Sequence, residues 1–135
     1  MLYRRRLMSK QTLQLHSTVL SIHSLDVDAD IPAALLKLPL FFISKTQDEL
    51  SIVCPSSFEI ESLDTESDWQ ALEVVGPLGF SLTGIMANIS GVLARAKISI
   101  FSISTYDTDY ILVKKQTASL ALNALKKDGY NVVAQ

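Results

Sequence analysis

The chain has 135 residues, 48% of them hydrophobic and 19% charged, with a formal net charge of -2. That length and apolar content suit one compact domain, or two very small ones sharing a core, and exclude a disordered chain. The small negative charge leaves no basic face for nucleic acid, and no apolar run approaches the roughly 20 residues that span a bilayer.

The opening MLYRRRLMSK carries three arginines. No apolar stretch of about 7–15 residues follows it, so it reads as a frayed basic tail and not as a secretory signal. The single cysteine, Cys54, excludes an internal disulfide and suits a reducing, cytoplasmic setting. Residues 12–22, TLQLHSTVLSI, read as a strand of imperfect alternation that also divides into two short strands. An acidic loop, 25–30, follows. Pro32 then opens a short helix through Ala33, Leu35, Leu36 and Leu38, and Pro39 stops it. Segments 40–44 and 50–53 form a hairpin around the turn 45–49. The acidic, turn-rich stretch 55–68 has little periodicity and reads as a linker wrapped on the surface.

A new strand, 69–75, leads into the stretch that organises the rest. Gly76-Pro77-Leu78-Gly79 forbids regular structure, and Ser81 or Thr83 is placed to cap the helix that follows. In that helix, 81–96, Leu82, Ile85, Met86, Ile89, Val92, Leu93 and Ala96 fall at three-and-four spacing on one face. Strands ISIFSIS and YILV then flank the polar turn Thr105-Tyr106-Asp107-Thr108-Asp109. Thr117 caps a last helix through Leu120, Ala121, Ala124 and Leu125, with Lys126 and Lys127 at its negative end and Gly129 at the left-handed position beyond. Residues 130–133 form the closing strand.

Sliding the chain by 60 positions lays 31–53 on 91–113 without a gap. Ala34/Ala94, Lys37/Lys97, Phe41/Phe101, Ile43/Ile103, Ser44/Ser104 and Val53/Val113 are then identical. The order helix, strand, turn, strand recurs in both copies. The expected fold is α+β: tandem ferredoxin-like βαββαβ units, antiparallel sheets with helices on one face, in halves 1–66 and 67–135. The second copy is complete; the first lacks the closing helix and strand, with 55–68 in their place.

The run GPLGFSLTGIMANISGVLARAKISIFSISTYDTDYILV closely resembles the ACT domain of a family of small tandem-ACT proteins. The hairpin FFISKTQDELSIVCP and the linking Trp69-Gln70-Ala71-Leu72 resemble the same family, so the likeness covers roughly 35–133. Related tandem modules include the cytosolic arginine sensor of animals, and ACT domains in general bind amino acids to regulate metabolism. The first copy departs from the pattern, with a short first helix, an Asp-rich first loop and no counterpart to Gly76-Pro77-Leu78.

A free amino acid needs donors for its carboxylate and acceptors for its ammonium. Free N–H groups at the start of helix 81–96 supply donors, where the helix dipole also favours an anion. Gly79 and Gly84 permit close backbone approach, and Ser81 or Thr83 adds a hydroxyl. Asp109 serves as acceptor, with the carbonyls around Ser104 and Thr105. By resemblance to the arginine sensor, Ser104-Thr105-Tyr106 and Asp109 match its binding loop, and Leu82, Thr83, Gly84 and Ile85 its helix start. The same residues carry a plainer meaning: Asp107 and Asp109 are ordinary turn residues, Ser81 and Thr83 ordinary caps, and the glycines serve turn geometry.

No phosphate-binding loop, dinucleotide fingerprint, nucleophile elbow or zinc spacing occurs, and Cys54 has no identifiable base. His16 and His23 lack neighbouring ligands, and Asp26-Asp28-Asp30 misses the calcium-loop pattern, so neither metal nor cofactor is expected. The residues and the resemblance together imply a non-catalytic, cytoplasmic amino-acid sensor acting as a homodimer. Two alternatives stand beside it: an interaction domain without ligand, and a regulatory subunit of an amino-acid metabolic enzyme.

Overall fold

The computed structural model describes residues 10–76 and 82–135. Their regular elements are β1 (Thr12–Leu15), β2 (Leu20–Leu25), a 3-10 turn (Ala33–Lys37), β3 (Phe42–Lys45), β4 (Leu50–Pro55), β5 (Asp64–Gly76), α1 (Leu82–Arg95), β6 (Ile100–Ser104), β7 (Asp109–Lys114), a second 3-10 turn (Lys115–Thr117), α2 (Ala118–Lys127) and β8 (Asn131–Ala134). The fold is α+β. Two compact units divide the chain: Thr18–Trp69, here the inserted unit, and 10–17 with 70–135, here the host unit. The first interrupts the sequence of the second, an arrangement that halves at 1–66 and 67–135 do not anticipate. Its cause is β1, which pairs with the second half of β5 and with β8.

In the inserted unit the strand order is β3-β4-β2-β5, antiparallel throughout. Stretch 55–68 is therefore only partly linker. From Asp64 it pairs with β2, so the closing strand of the first copy is present and only its second helix is missing. That strand was hidden because residues 64–68, DTESD, are all exposed and carry no apolar alternation. Ahead of it, Phe58 and Ile60 pack on the core of Leu25, Leu35, Leu50, Ile52 and Cys54, covering it without a helix. The first helix is reduced to a five-residue 3-10 turn between Pro32 and Pro39, which buries Leu35 completely. Between Trp69 and Glu66, two residues of β5, Ser67 and Asp68, oppose the single Ser21 of β2, and Asp68 takes a φ of 68° in that bulge.

In the host unit the order is β6-β7-β5-β1-β8, with β1 antiparallel to β5 and parallel to β8. Thus β1 stands between β5 and β8, the first and last strands of the βαββαβ run. Ile85, Ile89, Val92 and Leu93 of α1 and Ala121 and Leu125 of α2 pack on Leu13, Leu72, Val74, Ile111 and Val113 of the sheet. Both helices end alike. The Ile98 amide donates back to the Leu93 carbonyl at 3.0 Å and that of Tyr130 to Leu125 at 3.1 Å. The left-handed residue is Lys97 (φ 61°) in one and Gly129 (φ 99°) in the other. Thr117 does not cap α2 with its side chain; its hydroxyl instead donates to the Lys114 carbonyl at 3.1 Å, inside the preceding 3-10 turn.

The hairpins β3–β4 and β6–β7 share a four-residue turn, closed by Thr46 N–H to Glu49 C=O at 2.9 Å in one and Thr105 N–H to Thr108 C=O at 2.8 Å in the other. These turns are 59 positions apart, not 60. The identities Phe41/Phe101 and Ile43/Ile103 consequently relate opposite faces: Phe41 and Ile43 pack on their core, whereas in β6 it is Ile100 that does so.

Candidate functional site

The sequence points to two pieces, the start of α1 and the β6–β7 turn. The first turn of α1 contains no acidic residue, so no carboxylate within that turn opposes the attraction of the helix dipole for an anion. Ile85 is buried in the host core, whereas Gly84 is exposed, and a methyl group added there would meet no atom within 4 Å. Gly79 and Ser81 lie outside the described residues, as do the side chains of Leu82 and Thr83, so the capping expected of Ser81 or Thr83 does too.

The turn is built from its own hydroxyls. Thr105 Oγ1 donates to the Thr108 carbonyl at 3.1 Å and accepts the Thr108 amide at 3.3 Å. Ser104 Oγ donates to Asp109 Oδ1, so one carboxylate oxygen has the partner a turn aspartate ordinarily finds. Tyr106 at the tip is wholly exposed. Thr108 is buried at 7% exposure, and its hydroxyl donates to the Val74 carbonyl. That bond fixes the turn beside the end of β5, the strand from which the chain proceeds to α1. Turn and helix start therefore occupy the same end of the host sheet.

A polar cluster joins four residues that no spacing in the sequence would associate. Asp128 Oδ2 accepts from Lys10 Nζ at 2.6 Å and from Asn88 Nδ2 at 2.9 Å. Asn88 Nδ2 also donates to Tyr130 Oη at 2.6 Å, and Lys10 Nζ lies 5.2 Å from the centre of the Tyr130 ring. The hydrogen bonds from Lys10 and then Asn88 hold the Asp128 carboxyl below its usual range. Beside this cluster an open groove of about 290 Å³ is lined by Lys10, Gln11, Gly84, Ile85, Asn88 and Tyr130. Of the expected site residues whose side chains are described, Gly84 and Ile85 line it, while Ser104, Thr105, Tyr106 and Asp109 stand together in the turn.

Near the turn, burial first, then Glu73 and Asp107, raise the Tyr110 phenol above its usual range. Glu73 in turn meets His16 Nε2 at 2.8 Å. Cys54 is fully buried, and burial pushes its thiol up, which keeps it protonated and unreactive. Among the described residues, no group of three or more His, Cys, Asp or Glu side chains is gathered to hold a metal ion. No helix among them is long and apolar enough to cross a membrane.

Residues 64–127 match the family model described as the ACT domain. The chain is 33% identical over 98 residues to the cytosolic arginine sensor for mTORC1 subunit 1 of Rattus norvegicus, and equally to that of Homo sapiens. The match covers 67% of this chain and 30% of the relative. The chain thus matches about 30% of the length of these curated relatives. A crystal structure of the protein Atu0741 from Agobacterium tumefaciens superposes with a TM-score of 0.86 at 26% identity, covering 95% of this chain and 96% of that one. A structure of aspartokinase alpha and beta subunits has a TM-score of 0.61 at 18% identity, covering 86% and 91%, a likeness of fold alone.

Proposed function

Given that this chain belongs to the ACT-domain family through residues 64–127, we propose that it is a non-catalytic sensor of a free amino acid. The ligand's carboxylate meets the first turn of α1 at Leu82, Thr83 and Gly84, with Gly79 and Ser81 preceding it in the sequence. Its ammonium meets Asp109 and the carbonyls of Ser104 and Thr105, with Tyr106 at the rim. The inserted unit is an ACT copy with its first helix reduced to a 3-10 turn and its second missing, and the protein works in the cytoplasm as a homodimer whose arrangement the ligand shifts. A partner protein would sense that arrangement; a regulatory subunit of an amino-acid metabolic enzyme is the alternative reading.

The observation that carries this reading is the Thr108 bond to Val74. It supports a cation-binding carboxylate and an anion-binding helix start at one end of one sheet, the two poles a zwitterion requires. Micromolar affinity needs about 8 kcal/mol. The second oxygen of Asp109 would take the ammonium while Ser104 keeps the first.

The test is thermal unfolding against each of the twenty amino acids. A binder gains about 2.7 kcal/mol at a hundredfold excess over its Kd. Asp109→Ala should abolish that gain while leaving the unliganded protein folded. A shift retained in Asp109→Ala removes Asp109 from the site, and no shift with any amino acid overturns the sensor reading.

A further inference from the structure

We infer that His23 is an acid-sensitive latch: its neutral imidazole holds residues 62–66 against β2 in the inserted unit, and protonation releases them. His23 is 7% exposed and shares the buried face of β2 with Ser21 and Leu25. Opposite it stand Ile52 on β4 and Thr65 on β5. Its Nδ1 lies 3.1 Å from Thr65 Oγ1 and 3.3 Å from Ser62 Oγ, and those two hydroxyls bond each other at 2.7 Å. The other ring nitrogen, Nε2, is buried and has no hydrogen-bond partner among the described residues.

This arrangement accepts only the neutral ring. With its proton on Nδ1, the ring donates to the hydroxyl pair and leaves Nε2 as a bare acceptor. A second proton would turn Nε2 into a buried N–H donor with nothing to receive it, and would place a full charge among aliphatic side chains. Among the described residues, the side chains bonded to the ring are the hydroxyls of Ser62 and Thr65, and neither carries a charge that would offset it. On β2 the same face carries Ser21 and Leu25. On β4 it carries Leu50, Ile52 and Cys54, whose thiol burial keeps protonated. On β5 it carries Thr65, while Asp64 and Glu66 alternate to the opposite face. Glu61, beside Ser62, is exposed, and the 3-10 turn brings Leu35 to this core, with Lys37 at its far end. Burial accordingly lowers the His23 pKa below 6.5.

The easiest relief is local. Residues 64–66 are exposed and begin the last strand of this unit's sheet, where two hydroxyls and the β2 ladder are among the contacts that hold them. The folded pKa is depressed, so the closed form has its full advantage above pH 6.5. That advantage shrinks as pH falls, by up to about tenfold in the opening equilibrium per pH unit, until the folded pKa is passed.

The experiment is amide hydrogen exchange on the full chain between pH 7.5 and 5, divided by intrinsic rates, alongside an NMR titration of the two imidazoles. Opening of 62–66 should rise as pH falls below 6.5, while α1 and α2 keep constant protection. His23→Asn, which keeps a polar partner for the hydroxyls but does not titrate, should flatten that rise. An equal rise in His23→Asn overturns the proposal, as does a His23 imidazole titrating at or above 6.5 in the folded protein. Should His23→Asn fail to fold, the wild-type titration decides alone.

Discussion

The inserted and host units draw their chain through comparable strands but cover them differently. In residues 18–69, a five-residue 3-10 turn and the irregular Phe58–Ile60 stretch lie over the sheet. The host unit uses α1, of 14 residues, and α2, of 10. The comparison teaches that a sheet can hold without a long helix over it because its ladder is made by backbone groups, whereas a site that needs a helix start cannot form there. The host unit retains such a start in α1. The proposed ligand therefore belongs there, and the inserted unit instead carries the buried polar pair Ser21 and His23.

The difference breaks most visibly in the cores. Leu93 and Leu35 are both fully buried. Truncating Leu93 in α1 should cost about 2–5 kcal/mol, toward the upper end because a long helix cannot settle into the cavity. Leu35→Ala should fall near the lower end, since a single 3-10 turn shifts more readily. Urea unfolding followed by intrinsic tryptophan fluorescence and circular dichroism ranks the two. A larger loss for Leu35 would mean that the thin cover is the more rigid one.

Smaller and opposite in sign are the two helix ends. Lys97 holds a left-handed conformation that costs a side-chain-bearing residue about 1–2 kcal/mol, and Gly129 holds a related one without that cost. Lys97→Gly should stabilise by up to about 1 kcal/mol, after the extra freedom of glycine in the unfolded chain is offset. Gly129→Ala should destabilise by about 1 kcal/mol. Its new methyl would meet the Lys10 side chain at 3.7–3.9 Å, an ordinary contact, so any loss is backbone strain. Equal signs for the two substitutions would contradict the shared geometry of these ends.

What could be read in the sequence follows the same division. The host unit's helices and hairpin stood out because Ile85, Ile89, Val92 and Leu93 repeat with the helical period and Ile111 to Val113 are a short apolar run between polar turns. The ACT resemblance rested on the same residues. The first half of β5 did not stand out: Asp64 to Asp68 pair through their backbones with both faces wet, so nothing apolar marks them. The place of β1 was equally silent, because a four-residue strand carries no sign of which of two sheets it joins. In the candidate site, the turn residues were legible as turn chemistry. The Lys10–Asn88–Asp128–Tyr130 cluster was not, since its members are separated by 118 and 40 positions and meet only when the fold closes.

That cluster supplies the smallest effect and the most selective one. Asp128 follows the last residue of α2, where a negative charge faces the negative end of the helix dipole, an arrangement that by itself is unfavourable by about 0.3–1 kcal/mol. Lys10, at 2.6 Å, offsets it. Removing the two partners should therefore not be equivalent. Lys10→Met leaves the carboxylate against the helix end, whereas Asp128→Asn removes both the pair and the clash. With side chains 40% and 32% exposed, the pair is worth at most about 1 kcal/mol. Lys10→Met should thus cost several tenths of a kcal/mol, and Asp128→Asn less. Because the folded carboxyl lies below 3.8, its contribution is complete above that pH and declines as pH falls through the lowered value. Urea midpoints of wild type and Lys10→Met should therefore converge in acid, and also at pH 7 in about 1 M salt, where screening acts within roughly 3 Å. An Asp128→Asn loss larger than that of Lys10→Met would show that Asn88 and Tyr130, not the lysine, are what the carboxylate holds in place.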